Sequence, residues 1–342
     1  MDAVDEAIKS LSATGMETHE VWPAYSTDLG LEGLLLCFDA TGDPRYLRHV
    51  EKVWDFRGLP SRSLTVGNSY FTCLHYETYM RTGDPKYVDG LVDLALDWQK
   101  LGPRDARGAL GHRGTPRGAV FVDLLAGLAP LLARAGAVSG REEFFVESLH
   151  QIDLFHDALC DPKTGLWHHA RNWHGEGSLA PVGWARGCGW VLRALEKTLL
   201  AVPEGFPGRS RAMGYFTELI RVLLLHQNER GVWTQLVHRS DAFDEASGTG
   251  LILAAIAGRV FRNAGPMAVP PSADGSLQRG LEGLLGFLGD QGRVAGGCPE
   301  CPPLRTEEEY LLLTPRAGDP HAQAAALLAL AAARLGCGRG DS

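Results

Sequence analysis

Apolar residues recur along most of this chain at three- and four-residue spacing, the period of one buried helix face. The pattern predicts helices over Leu31–Ala40, Tyr70–Arg81, Leu91–Lys100, Val120–Ala135, Trp190–Ala201, Met213–Leu225, Thr249–Asn263, Leu277–Leu288 and Pro320–Leu335. Several are rich in Ala and Gly as well as Leu, which suits close approach of one helix to another. No stretch of β-branched alternation is long enough to form a sheet core. The chain reads as all-α.

One segment repeats. TGDPRYL at 41–47 returns as TGDPKYV at 82–88. Its physics is that of a joint between two helices. Gly takes the left-handed conformation that closes the first helix. Asp43 or Asp84 caps the next one, and the Pro that follows sits in the first turn, where no amide donor is needed. Tyr three positions beyond the cap packs back on the joint. A repeat of this length implies stacked helical hairpins. Twelve helices would leave about 28 residues for each helix and its connection, in keeping with ordinary helix and loop lengths. Six hairpins can close into a double ring, an (α/α)6 barrel or toroid. An open solenoid needs polar caps at its ends, whereas the last helix here, Gln323–Leu335, is apolar and better suited to closing a ring. The expectation is a single toroid over residues 1–342, against the two domains that length alone suggests.

Composition narrows the function. With 45% hydrophobic and 22% charged residues the chain can bury a core, which excludes disordered and collagen-like classes. A net charge of −8 argues against nucleic acid as a partner. The N-terminus is acidic where a secretory signal needs basic and then apolar residues. The apolar run Gly118–Ala133 is interrupted by Asp123 and Pro130 and is too short to span a bilayer. Seven cysteines, an odd and scattered set, fit reduced thiols in a cytoplasm better than a disulfide framework. Cys298 and Cys301 form a CxxC without a second CxxC or CxxH, so they read as loop cysteines rather than a zinc or redox site. No cofactor motif is present: HExxH, a Walker loop and GxSxG are all missing.

Two features could carry chemistry. Trp167-His168-His169, Asn172-Trp173-His174 and Gly183-Trp184-Ala185-Arg186-Gly187-Cys188-Gly189-Trp190 combine aromatic rings, imidazoles and a guanidinium on glycine-flanked segments. A carboxylated sugar needs such groups, rings for its C–H faces and Arg for its carboxylate. The same tryptophans could equally be core. Asp123 is the lone charge between Arg117 and Arg134. It is either a helix N-cap or an acid in an apolar wall, where desolvation would favour its protonated, proton-donating form.

Together these segments resemble the unsaturated glucuronyl and rhamnogalacturonyl hydrolases, glycoside hydrolase families 88 and 105. VWPAYSTDLGLEGL is similar to their opening aromatic segment, with Tyr25 in place of a pocket tyrosine. GHRGTPRGAVFVDLLAGLAPLLARAG resembles the segment ending in their catalytic aspartate. TGLWHHA, WARGCGW, DEASGTGLILAAIA and GDPHAQAAALLALA resemble their later motifs. The resemblance implies an (α/α)6 barrel acting on oligosaccharides that lyases have left with a 4,5-unsaturated uronic acid at the non-reducing end. Asp123 would protonate C4 of the vinyl ether and activate the water added at C5, without the two flanking carboxylates of ordinary glycosidases. Tyr25, Arg113, His169, Trp184 and Arg186 would bind or position the sugar, and Trp190 would buttress the loop. Two positions depart from the pattern. Asn68 (or Gly67) stands where many members carry a second pocket aspartate, and Cys188 stands where an Asn is usual. Another toroid sugar enzyme, an epimerase or ordinary glycosidase, and a non-catalytic sugar-binding member are the alternatives.

Overall fold

The computed structural model describes residues 2–18, 24–57, 64–112, 116, 118–264 and 270–337. Its helices are α1 (Asp2–Thr18), α2 (Ala24–Thr41), α3 (Pro44–Arg57), α4 (Val66–Thr82), α5 (Leu91–Leu101), α6 (Val122–Ser139) and α7 (Glu142–Leu159). They continue with α8 (Ala185–Ala201), α9 (Arg209–Leu225), α10 (Ala246–Ala257), α11 (Arg259–Arg262), α12 (Ala273–Leu285), α13 (Glu307–Leu311) and α14 (Pro320–Cys337).

The helices α2, α4, α6, α8, α10 and α14 pack each on the next, and α14 returns to α2, so the ring closes. Outside it lie α1 against α14, α3 against α2, α5 and α7 against α6, α9 against α8, and α12 against α10. This is the expected (α/α)6 toroid. The inner helices run the same way. Gly248 at the start of α10 faces Ala185 at the start of α8, and Gly127 in α6 faces Ser69 in α4.

All nine predicted helices are present; α2, α4, α8 and α9 begin four to seven residues before their apolar pattern, and α6, α10 and α12 differ as well. Val120–Phe121 is a strand, β1, and the helix begins at Val122. The segment Thr249–Asn263 breaks at Gly258, whose extended backbone (φ −66°, ψ 151°) ends α10; a side chain at this position would strike the Glu196 carboxylate. The third, α12, starts and stops a few residues earlier than its apolar pattern. Besides the five-residue α13, three long helices, α1, α3 and α7, escaped the periodicity. All lie in the outer layer; α3, for instance, buries a stripe of only Tyr46, Val50 and Trp54, and its remaining positions are polar enough to hide the helix period.

The repeated joints behave as their chemistry dictates. Gly42 (φ 71°) and Gly83 (φ 70°) are left-handed. Asp43 Oδ1 accepts from Arg45 N at 2.9 Å and Asp84 Oδ1 from Lys86 N at 3.0 Å, while Tyr46 and Tyr87 are buried. After the first joint α3 begins at once; after the second the chain makes a single 3-10 turn, Pro85–Val88, before α5.

Ring closure depends on small residues. A Cβ on Gly250 would stand 2.6 Å from the backbone of Ala325 in α14, and backbone cannot rotate aside as a side chain can. Gly250→Ala gains up to about 1 kcal/mol of helix propensity, yet overpacking costs about 1–3 kcal/mol. Net destabilisation is expected, read as a lower midpoint in thermal unfolding. A raised midpoint would show that α10 and α14 are not held this tightly.

Deep in the ring, two to three turns beyond the helix N-termini, lies a buried network of charge. Arg193 pairs with Glu32 and, at 2.5 Å, with Glu196. Lys197 Nζ lies 2.5 Å from Glu32 and 3.0 Å from Glu77, and Glu77 also pairs with Arg134. These side chains come from α2, α4, α6 and α8 and join those helices across the axis of the ring.

Candidate active site

Because the inner helices are parallel, their N-termini gather at one mouth. Each brings the positive end of a helix dipole, a setting that favours anions. The polar residues of the sequence motifs lie here, at the starts of α6, α8, α10 and α14.

Asp123 reaches the mouth through a strand pair. β1 (Val120–Phe121) pairs antiparallel with β2 (Ala170–Arg171), Val120 opposite Arg171 and Phe121 opposite Ala170. Val122 N donates to His169 O at 3.1 Å. That register sets His169 beside the first turn of α6. The N-cap of α6 is Phe121, and no side chain caps the helix, so Asp123 does not tie down its own helix start. Its Oδ2 lies 3.3 Å from His169 Nε2, with the Asp123 side chain 23% exposed and that of His169 1%.

His169 is held on every side. Its Nδ1 hydrogen-bonds the hydroxyl of Tyr310 in α13, and its ring stacks on Trp184 with centroids 4.0 Å apart. Burial drives its pKa below the ordinary histidine value, against the pull of Asp123, so the ring is neutral at pH 7. The Arg186 guanidinium sits over the Trp184 ring at 4.7 Å, within cation–π range.

Two expected ligand contacts change on this geometry. Trp184 is 1% exposed, so its ring has no face left to stack on a sugar. Arg186 is equally buried. It donates to Cys298 O at 2.6 Å, Pro299 O at 2.9 Å and Ser247 Oγ at 3.2 Å. It is a clamp on the loop around Cys298 rather than a free carboxylate fork. His169 is likewise buried, with Nδ1 on the Tyr310 hydroxyl and Nε2 facing Asp123 Oδ2 at 3.3 Å. Of the other sequence candidates, Tyr25 and Asn68 lie in the first turns of α2 and α4 at the mouth end, but their side chains are outside the described residues, as is Arg113 altogether. Trp190 is buried edge-on to Tyr70, with centroids 5.7 Å apart, a buttress as expected. Cys188 is buried in the first turn of α8 and its thiol is pushed up to about 12 by burial; it lines the core and supplies no polar group.

The structure adds residues that local sequence reasoning passed over. Glu245 caps α10, accepting from Ser247 N at 2.8 Å and from Cys298 N at 3.0 Å. Asp319 caps α14 through His321 N at 3.0 Å. Both carboxylates directly precede a helix start, the usual N-cap signal, inside the segments DEASGTG and GDPHAQ. Tyr310 gave no such signal, because its partner is far away in the chain. The CPEC loop belongs to this assembly. The neighbouring Cys301 thiol and Arg186 hold Cys298 below its ordinary value, while the Cys298 thiol and burial push Cys301 up. Among the described residues no three His, Cys, Asp or Glu side chains converge as metal ligands.

Replacing the clamp tests its role. Arg186→Lys keeps the charge but not the planar fork, and is expected to expose the Cys298–Leu304 loop to proteolysis and to lower thermal stability by about 2 kcal/mol. An equally protected loop would contradict the assignment.

The closed helical toroid thus carries Asp123, 3.3 Å from a buried histidine, at the shared mouth of its inner helices. The sequence signature of Glycosyl Hydrolase Family 88 matches residues 2–334, and the chain belongs to that family. It is 24% identical over 286 residues to the unsaturated rhamnogalacturonyl hydrolase YesR of Bacillus subtilis, covering 80% of this chain and 78% of that protein. In fold it is similar to a possible family 105 member from Klebsiella pneumoniae, with a TM-score of 0.85 at 20% identity, covering 98% and 93% of the two chains. It is also similar to the unsaturated glucuronyl hydrolase of Bacillus sp. GL1, with a TM-score of 0.70 at 14% identity, covering 96% of each chain. The family resemblance drawn from the motifs is borne out.

Proposed function

We propose that this enzyme releases a 4,5-unsaturated uronic acid from the non-reducing end of lyase-generated oligosaccharides by hydrating the ring's double bond, with Asp123 as general acid and then base. The observation that carries this reading is a partly exposed carboxyl at the mouth, that of Asp123, 3.3 Å from a buried histidine. An ordinary glycosidase sets two carboxylates astride the anomeric carbon. Here Glu245 and Asp319 are occupied with helix starts and Asp28 is fully buried. One acid suffices for hydration. Asp123 gives its proton to C4, positive charge develops at C5, and water adds there while Asp123 takes a proton back. The hemiketal opens and the aglycone leaves as an alcohol. The converging helix N-termini favour a substrate that carries a carboxylate, and the Bacillus subtilis relative, an unsaturated rhamnogalacturonyl hydrolase, supports the same substrate class.

The test is a panel of unsaturated disaccharides from pectin and glycosaminoglycan lyases. Their near-ultraviolet enoate absorbance is expected to disappear with the enzyme, while the matching saturated glycosides persist. Turnover of saturated glycosides alone would overturn the proposal in favour of an ordinary glycosidase.

A further inference from the structure

We infer that Tyr310 is a positioning residue that fixes the tautomer of His169, and through it which oxygen of Asp123 faces the substrate; this rests on the function proposed above. Tyr310 is fully buried. Its oxygen accepts a hydrogen bond from Leu304 N at 3.2 Å and meets His169 Nδ1. A buried hydroxyl proton needs an acceptor, and His169 Nδ1 is the one that stands at hydrogen-bond distance among the described residues. Tyr310 therefore donates to Nδ1. The ring proton of the neutral imidazole must then be on Nε2, the nitrogen facing Asp123 Oδ2 at 3.3 Å.

The opposite tautomer would strand the phenol proton and turn the Nε2 lone pair toward Asp123. Asp123 could then meet that lone pair only by donating its own proton to the histidine instead of to C4. With Nε2–H facing Oδ2, which is itself buried, the proton for C4 is carried on Oδ1. After transfer, the same N–H stabilises the carboxylate that takes a proton from water. The backbone contact to Leu304 ties this arrangement to the loop that Arg186 clamps at Cys298, and His174 Nε2 holds that loop again at Pro303 O, 2.8 Å away.

The experiment pairs kinetics with nitrogen NMR. In protein labelled with ¹⁵N-histidine, the His169 signals, identified by their loss in His169→Gln, are expected to show a protonated Nε2 and a lone-pair Nδ1 near neutral pH. In Tyr310→Phe that pattern is expected to give way to a tautomer mixture. Its kcat on the unsaturated disaccharide should fall about 10- to 100-fold with KM nearly unchanged. The acid limb of its pH profile should move to higher pH, because Nδ1 becomes free to take a proton. A wild-type His169 protonated on Nδ1 overturns the inference without any substrate, and so does a Tyr310→Phe enzyme with unaltered kcat and pH profile. A wild type inactive on every unsaturated disaccharide but carrying the Nε2–H tautomer would instead overturn the proposed function and leave the tautomer assignment standing.

Discussion

Asp123→Asn is expected to lower kcat on an unsaturated disaccharide by on the order of 10³-fold, within the range for loss of a positioned proton donor and acceptor. The amide is the same shape and still accepts from His169, so the unfolding midpoint and KM should barely move. The geometry supports that separation. Asp123 caps no helix, and the carboxyl touches His169 and the mouth rather than the core. A variant that loses stability along with activity would show that Asp123 acts as a structural residue, and a variant that keeps its activity would remove it from the chemistry.

The second large effect lies at the other end of the ring. Arg193→Met leaves Glu32 and Glu196 buried without their main partner, and breaking a buried pair from one side costs about 3–5 kcal/mol. For a chain of this size that is a fall of roughly 4–7 °C in melting midpoint. The same network sets the response to acid. Burial works to raise the pKa of Glu32, but Arg193 and Lys197 outweigh it and hold the group at about 2, against an ordinary value of 4.5. Glu77 is held below its ordinary value in the same way, burial being outweighed by Lys197, Arg134 and Arg81. With folded pKa values below unfolded ones, the unfolded chain binds more protons under acid conditions. The stabilisation is complete above about pH 4.5 and drains away as pH falls toward 2. Thermal unfolding from pH 6 to 3 should show the midpoint dropping over that window, and a flat profile would mean that these carboxylates gain nothing from folding.

Much of this architecture is legible in the sequence because inner helices of a toroid are buried nearly all round. Val122–Ser139 and Ala246–Ala257 are apolar for most of their length, and such segments declare themselves. Outer helices such as α3 bury a narrow stripe and are mostly polar, so their periodicity is diluted. The TGDPxY joints were legible because every group that closes them lies within a few residues. Asp123 and His169 were legible as candidates, but their meeting was not: it depends on β1 pairing with β2, a register no local pattern states. The burial of Trp184 and Arg186 was not legible for a related reason. Rings and guanidinium near a mouth suggest ligand contacts, and only the fold shows that Cys298 O, Pro299 O and Ser247 had already claimed the fork. Tyr310 was invisible because its function exists only across the folded mouth.

Isotope labelling addresses the central chemistry most directly. Turnover of an unsaturated disaccharide in D₂O enriched in H₂¹⁸O, followed by NMR and mass spectrometry of the freed sugar, reports where the proton and the water went. Hydration assisted by Asp123 predicts deuterium at C4 and ¹⁸O at C5. Heavy oxygen at C1 with no deuterium at C4 would mean ordinary attack at the anomeric carbon, and would contradict the account.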